Sequence, residues 1–292
     1  MTMSNLTQRI LTAVVGVPLL YFIFYLGGIP FLVLILAVIF LGEIEFFKLL
    51  EVKGVQSERE LAVAFSLALG IAAYFGYFYF AVVFSFSVII TFLLALRQQD
   101  LSNTLIAIST TLFAIIYLGW FLSHAILLRN IDCNSNLKTY AETVQGLSDV
   151  GFFYIFLVVS CTFLNDTGAY FIGRWKGKRK LIPHVSPGKT VEGTIGGIIS
   201  SIITGGVANL IFKAPLEYHW VILFGLVIGI VAVLGDLTES LIKRSAEAKD
   251  SGGILPGHGG ILDRFDSLIF TFPVSYYMVL LYYWLHGVLV SS

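Results

Sequence analysis

The sequence predicts an all-α protein that crosses a membrane about nine times. Hydrophobic residues make up 57% of the 292 residues and charged residues only 12%, and the mean hydropathy is +0.89. Several uncharged runs approach or exceed about 18 residues, the length at which a helix can span the apolar core of a bilayer. The charges gather in a few loops between these runs. The predicted spans lie at roughly 10–26, 29–49, 61–77, 80–96, 104–128, 150–172, 193–213, 219–236 and 266–290.

Two divisions between these spans depend on glycine. The pair Gly27-Gly28 and Pro30 separate the first two spans. The uncharged run 61–96 is too long for a single crossing, so a turn is predicted near Gly76. The first span lacks a small-residue cleavage site and a second span follows at once, which favours a retained helix over a signal peptide.

The distribution of Lys and Arg predicts the orientation. With nine spans, 15 of the 18 basic residues fall on the side of the N-terminus, which is therefore predicted to be cytoplasmic, with the C-terminus outside. The formal net charge is zero and identifies no partner. Cys133 and Cys161 lie far apart and predict neither a disulfide framework nor a metal cluster. Nucleic-acid motifs are absent from the sequence, so no nucleic-acid partner is expected.

The stretch 236–266 concentrates the chemistry. Polar residues from Asp236 to Asp250 recur at helical spacing and predict one polar helix face. Five glycines then fall between Gly252 and Gly260, where a helix cannot continue. Such a loop lets backbone N–H groups approach a phosphate closely.

Asp263 and Asp266 stand three residues apart at the start of the next predicted helix. This spacing places both carboxylates on one face, where they can hold a hard cation such as Mg²⁺. The neighbouring Lys and Arg side chains suit phosphate oxygens. The stretch therefore predicts metal-assisted phosphoryl or nucleotidyl transfer at a membrane surface, in preference to a solvated loop of ion pairs.

A second polar region begins inside the sixth span, at Asn165 and Asp166. Placing an ionised acid at mid-membrane costs about 2.5–3.5 kcal/mol, so Asp166 is expected to face protein or water. A functional role is favoured over an acid that only pairs with a nearby lysine. Five basic residues follow within 174–180, and they predict an orientation signal that also attracts anionic lipid.

The stretch 186–193 contains Gly-Lys-Thr but does not fit a P-loop. Pro183 stands where the P-loop needs glycine, and no strand of an α/β unit is expected before it. The stretch instead predicts a helix N-terminus that bears Lys189 and Thr190 and offers a seat for an anion.

The segments Ser240-Leu-Ile-Lys-Arg244, Lys249-Asp250, Leu255-Pro-Gly-His-Gly-Gly-Ile261 and Asp263-Arg-Phe-Asp266 together resemble the signature of phosphatidate cytidylyltransferases. The match runs without a gap over about 27 residues. The stretches around Asp166 and Lys189 resemble further elements of that family. The resemblance implies a reaction of CTP with phosphatidate that gives CDP-diacylglycerol and pyrophosphate, with Mg²⁺ and room for a second cation.

The resemblance and the chemistry of the side chains together give the predicted site. The catalytic group is Asp236, Lys243, Asp250, His258, Asp263 and Asp266, of which Asp236, Asp263 and Asp266 are the predicted metal ligands. The substrate-binding group is Asp166, Ser186, Lys189, Thr190, Glu192, Arg244, Lys249, Gly259, Gly260 and Arg264.

The predicted organisation is a span region, 1–150, without a motif, and a catalytic region, 151–292, with polar loops at 173–192 and 237–265. Glu43 and Glu45 are expected to lie where the second span leaves the membrane, beside Lys48, and to form only local ion pairs. The expected setting is the inner membrane of a bacterium, with CTP, phosphatidate and membrane lipid as partners and a homodimer left open.

Two other function classes stay in view. A secondary transporter would need paired halves, and the sequence shows no internal repeat. A different lipid phosphotransferase would use the same metal chemistry. Of these, a CDP-alcohol phosphotransferase would show an Asp-Gly pair, which the chain lacks, and only the resemblance argues against a CTP-dependent lipid kinase.

Overall fold

The structure is a computed structural model that describes residues 5–51, 57–97, 101, 103–133, 149–212, 216–253 and 259–287. Within these ranges the chain is almost entirely helical. Helix α5 contains a π-helical stretch, Ile115–Trp120, and a 3-10 turn, Asn130–Cys133, follows it. The helices are α1 (Asn5–Leu26), α2 (Gly28–Glu51), α3 (Arg59–Phe75), α4 (Tyr77–Ala95), α5 (Thr104–Arg129), α6 (Val150–Lys176), α7 (Val191–Ile211), α8 (Tyr218–Ser245) and α9 (Leu262–Leu285), and the strands are β1 (Lys180–Ile182) and β2 (Ser186–Thr190).

Seven of the helices in the described ranges, α2 and α4 to α9, are long and apolar enough to cross a bilayer. The chain is thus a multi-pass membrane protein of the all-α class, and the predicted fold class is confirmed. Helix α3 has 17 residues, just under the usual length of a span. The count of nine crossings and the orientation stay predictions.

The predicted breaks at glycine are confirmed. The backbone at Gly27, Gly28 and Gly76 has φ values of 59°, 52° and 124°, which glycine adopts far more readily than any residue with a side chain. These positions separate α1 from α2 and α3 from α4. The long uncharged run is therefore two helices.

The predicted polar face over 236–250 is wrong beyond Ser245, where α8 ends. The amide of Ala248 donates to the carbonyl of Lys243, and the amide of Glu247 donates to that of Arg244. Glu247 itself has a φ of 56°. This is the Schellman pattern of helix termination, and it removes Glu247 and Asp250 from the helix. Helix α9 begins at Leu262, earlier than the predicted span.

A two-stranded antiparallel hairpin precedes α7 and carries Lys189 on its second strand; it is not the strand of an α/β unit that a P-loop needs. Strand β1 pairs antiparallel with β2, with Lys180 opposite Thr190. The carboxylate of Glu192 accepts hydrogen bonds from the backbone amides of Lys178 and Arg179, at 3.0 and 3.2 Å. These bonds hold the start of the hairpin against the first turn of α7.

The chain forms two compact units, and the predicted division at residue 150 into a motif-free and a catalytic region stays a prediction. Residues 1–127 and 243–265 form the first, here called the N-terminal unit. Residues 128–242 and 266–291 form the second, here called the C-terminal unit. The described residues on either side of 254–258 therefore belong to the same unit as the first helices of the chain.

Candidate active site

A cavity of about 470 Å³ lies in the C-terminal unit, among α6, the hairpin, α7 and α8. Its wall combines acids, bases and bare glycine backbone. A mixed polar surface of this kind, on helices that are apolar elsewhere, suits a ligand that carries charge. The polar residues that line it are Asn165, Asp166, Tyr170, Arg174, Lys180, Lys189, Thr190, Thr194 and Asp236.

Three carboxylates of the C-terminal unit approach one another near this cavity. Asp166 and Asp236 line it from α6 and α8. Asp266 lies close enough for the charges of both to act on it. The glycine before Asp236 explains the approach of α9, because a Cβ atom on Gly235 would lie only 2.7 Å from the carbonyl oxygen of Asp266.

One lysine offsets part of this negative charge. The Nζ atom of Lys189 lies 2.5 Å from Oδ2 of Asp236, and both side chains are about a quarter exposed. The charge of Lys189 also acts on Asp166. Lys189 therefore lies at the N-terminal end of α7, beside Asp236 and close enough to Asp166 for its charge to act on that carboxylate.

Thr190 caps α7, as its predicted place at a helix entry required. Its Oγ1 atom accepts a hydrogen bond from the amide of Gly193 at 3.1 Å, the bond expected of an N-cap threonine. The cap fixes the residue before it, Lys189, at the cavity wall. Binding of an anion at this helix end stays a prediction.

Five polar residues of the cavity wall lie outside the predicted site, namely Asn165, Tyr170, Arg174, Lys180 and Thr194. Asn165 is fully buried and donates from Nδ2 to the carbonyl of Gly229 at 2.9 Å. Arg174 and Lys180 line the same cavity, although the basic run had been interpreted as a signal for orientation and lipid. Their position beside Asp166 and Lys189 in the sequence was the available signal.

Asp263 lies in the N-terminal unit and is surrounded by donors. Its Oδ1 atom is 2.6 Å from Nζ of Lys243. Its Oδ2 atom accepts from the hydroxyl of Ser251 at 3.0 Å and from the amide of Gly260 at 2.9 Å. Both carboxylate oxygens therefore already have partners within this unit.

The expectation of local pairing for Glu43 and Glu45 is wrong. Both are fully buried in α2. Glu45 accepts hydrogen bonds from the Ser251 hydroxyl and the Leu262 amide, more than 200 residues along the chain. Glu43 accepts from the hydroxyl of Ser66. Neither long-range partner could be identified from spacing, because only helix packing brings them together.

The remaining predicted residues are spread over the loop and the hairpin. Ser186 is half-buried on β2, and Glu192 makes the hairpin contacts described above. Gly259 has a φ of 83°. His258 lies outside the described residues. Among the predicted site residues of the loop and its flanks, those that are exposed are Arg244, Lys249, Asp250 and Arg264.

The fit to a cation differs between the two units. Within the described ranges, no group of three or more His, Cys, Asp or Glu side chains is arranged closely enough to hold a metal ion. Asp236 and Asp266 supply hard oxygen donors, the ligand type that Mg²⁺ prefers. Asp263 belongs to the N-terminal unit, so the predicted set of three ligands stays a prediction.

The comparison with known proteins identifies the family. The sequence profile of the cytidylyltransferase family matches residues 7–282. The chain belongs to this family. The resemblance seen in the motifs around 160–270 is confirmed and extends over the N-terminal helices as well.

Relatives in bacteria cover nearly the whole length of this family member. The chain is 36% identical over 288 residues to a phosphatidate cytidylyltransferase of Synechocystis, covering 94% of the chain and 97% of that protein. It is 33% identical over 290 residues to the phosphatidate cytidylyltransferase of Bacillus subtilis, covering 96% and 100%. A Staphylococcus haemolyticus protein of the same name is 49% identical over 135 residues, covering 46% of the chain and 50% of that protein.

Proposed function

We propose that this protein is a phosphatidate cytidylyltransferase, which makes CDP-diacylglycerol and pyrophosphate from CTP and phosphatidate. The observation that carries the proposal is the cavity in which Lys189, Arg174 and Lys180 face Asp166 and Asp236 among membrane-spanning helices. The two relatives that match over nearly their full length carry this name. We place the reaction at the cytoplasmic face of a bacterial inner membrane, on the orientation that the basic residues predict.

The reaction requires one anion to attack another. A phosphate oxygen of phosphatidate forms a bond to the α-phosphorus of CTP, and the bond from that phosphorus to the bridging oxygen breaks as pyrophosphate leaves. A phosphate monoester is largely dianionic at neutral pH, so the protein needs no strong base. Positioning and charge neutralisation must therefore supply most of the rate.

The cations of the cavity suit the phosphates of both substrates. Lys189, which pairs with Asp236 in this structure, is placed to exchange that carboxylate for a phosphate oxygen. Arg174 presents a planar fork that can bind two oxygens at once. Lys180 already reaches the carbonyl of Pro187 at 2.7 Å and thereby stiffens the hairpin that carries Lys189.

The carboxylates suit the cation that such a reaction uses. Asp236 and Asp266 would hold Mg²⁺, with Asp263 as the further ligand that the family resemblance implies. Bound Mg²⁺ would offset the repulsion between the two anionic substrates. Asp166, next to these acids, would add to the negative field that attracts the cation.

The loop residues enter the proposal through the resemblance alone. Lys243, Arg244, Lys249 and Arg264 are proposed to bind anionic groups, and the backbone at Gly259 and Gly260 to approach the nucleotide. Roles for Asp250 and His258 in orienting groups or moving protons, and for Ser186, Thr190 and Glu192 in binding substrate, stay predictions.

A labelling experiment tests the proposed reaction. Purified protein in detergent, given phosphatidate, Mg²⁺ and CTP labelled at the α-phosphate, should transfer the label to lipid and release unlabelled pyrophosphate. Transfer of label from γ-labelled CTP only would identify a lipid kinase instead. Transfer from neither would remove the proposed function.

A further inference from the structure

The glycine-rich loop is tied to a carboxylate that no part of the proposed reaction uses. Glu45 lies in α2 and has a relative exposure of 0%. Its Oε2 atom accepts from the hydroxyl of Ser251 at 3.2 Å and from the backbone amide of Leu262 at 3.0 Å. These two donors flank the loop, so one buried side chain fixes both of its ends.

Ser251 also contacts Asp263. The hydroxyl that reaches Glu45 also lies 3.0 Å from Oδ2 of Asp263, and the Ser251 amide donates to the same oxygen at 3.2 Å. A hydroxyl has a single proton to donate and here stands between two carboxylates. The position of Asp263 is therefore coupled to that of Glu45 through one serine.

Two glycines leave room for this arrangement. A Cβ atom on Gly252 would lie 2.5 Å from Oε1 of Glu45, and a Cβ atom on Gly260 would lie 2.5 Å from Oε2. Real Cβ atoms do not approach other atoms so closely. Part of the glycine content of the loop is thus explained by the approach of Glu45, independently of any bound phosphate.

Glu45 is costly to bury, which argues that it has a role. Its Oε1 atom has no hydrogen-bond partner among the described residues. A buried carboxylate oxygen without a donor destabilises the folded chain. An apolar residue of similar volume would pack at this point without that cost, but it could not hold Ser251 and the first turn of α9.

We propose that Glu45 and Ser251 are positioning residues, which hold Asp263 and the glycine-rich loop in the geometry that cytidylyl transfer requires. The inference rests on the proposed function for the role of Asp263. It adds a contribution from the first helices of the chain, which the motif does not include. Residues that support a reacting group in this way typically contribute about tenfold to hundredfold to activity.

The test compares four variants with wild-type protein in detergent. Glu45→Leu removes both hydrogen bonds, and Glu45→Gln keeps an oxygen acceptor of the same size. Ser251→Ala removes the hydroxyl contacts with both Glu45 and Asp263 but keeps the bond from the Ser251 amide to Asp263. The matched control is Glu43→Gln, because Glu43 is equally buried in the same helix but contacts Ser66. The readouts are kcat and KM for CTP per folded protein, and hydrogen exchange of the amides in 251–262.

The proposal predicts a graded loss of turnover. Glu45→Leu and Ser251→Ala should lower kcat by about thirtyfold or more, with faster amide exchange across the loop. Glu45→Gln should recover most of the turnover that Glu45→Leu loses, and Glu43→Gln should leave both readouts at the wild-type level. If Glu45→Leu does not fold, the turnover and amide exchange of Ser251→Ala decide the question, since this variant removes only one hydroxyl group.

Three results would overturn the proposal. Unchanged amide exchange in Ser251→Ala would show that the link is not formed. Faster exchange with wild-type kcat would show that the link serves folding only. An equal loss in Glu43→Gln would show a general effect of altering α2. If the wild-type protein transfers no label to lipid, the proposed function fails, and the exchange data alone then decide whether Glu45 orders the loop.

Discussion

Two lysine–aspartate pairs lie in regions that the sequence marks as functional, and their surroundings differ. Lys243 and Asp263 meet at 2.6 Å with side chains 13% and 12% exposed. Lys189 and Asp236 meet at 2.5 Å with side chains 23% and 26% exposed. Asp263 has further donors in Ser251 and Gly260, whereas Asp236 has Asp266 as a neighbour of like charge.

We call Lys243–Asp263 the closed pair, because its groups have their partners within the protein, and Lys189–Asp236 the open pair, because it borders a cavity. The Lys243–Asp263 pair is mostly buried, and both carboxylate oxygens of Asp263 have donors within the N-terminal unit, so the pair stabilises the loop. The Lys189–Asp236 pair lines a cavity that also holds a second carboxylate, Asp166, and two further cations, Arg174 and Lys180. A cation and a phosphate can each replace one partner there, which makes this pair the better candidate for direct contact with substrate.

The largest expected effect follows from the open pair. Asp266→Asn should lower turnover by at least about a hundredfold, because it removes a charge that the proposal assigns to the metal. Asp236→Asn should give a similar loss, and the double variant should be little worse than either single one, since residues that act as a unit are not additive. Steady-state assays with α-labelled CTP measure this.

The control for these variants is Glu60→Gln, the same type of charge change at an exposed position of α3. It should leave turnover unchanged. Near-normal turnover of both Asp266→Asn and Asp236→Asn would remove these acids from the reaction.

A smaller effect is expected at the cation of the open pair. Lys189→Ala should raise KM for CTP about tenfold or more, because a hydrogen bond to a charged group contributes about 1.5–3 kcal/mol. Lys178→Ala makes the same change in the same polar loop, 173–192, at an exposed side chain, and should leave KM unchanged. Equal KM values for the two variants would indicate that Lys189 does not bind CTP and only helps to set the orientation of the chain in the membrane.

The smallest expected effect is on stability, and it distinguishes the closed pair from the acids around the open pair. Asp263→Asn should lower the free energy of unfolding by about 1–3 kcal/mol, because it leaves the mostly buried Lys243 side chain without the charge of Asp263. Asp266→Asn should leave stability unchanged or raise it, since it relieves repulsion from Asp236 and Asp166. Thermal unfolding in detergent measures both, and the opposite order would contradict the distinction between closed and open pairs.

The sequence predicts the helical class and the chemistry of the site more readily than its pairings. Uncharged runs and glycine breaks define the helices, because a bilayer leaves few other ways to satisfy the backbone. Which side chains meet depends on how closely the helices approach one another, as α8 and α9 do at Gly235. Spacing along the chain contains no such information.

Two features escaped prediction for related reasons. The end of α8 depends on Glu247 in a left-handed conformation that glutamate seldom adopts, so composition gives no signal for it. The role of Glu45 depends on contacts more than 200 residues away. Its chemistry as an acid within a span was visible, but its partners were not.

The most direct test of the open site is a Mg²⁺ titration of thermal stability in the absence of substrates. An ion that binds only the folded chain stabilises it by mass action, by about 2.7 kcal/mol at a hundredfold excess over its Kd. The account predicts that the melting temperature of the wild-type protein rises with Mg²⁺ and that Asp266→Asn abolishes the rise. An undiminished rise in Asp266→Asn would contradict the assignment of the cation to the C-terminal unit.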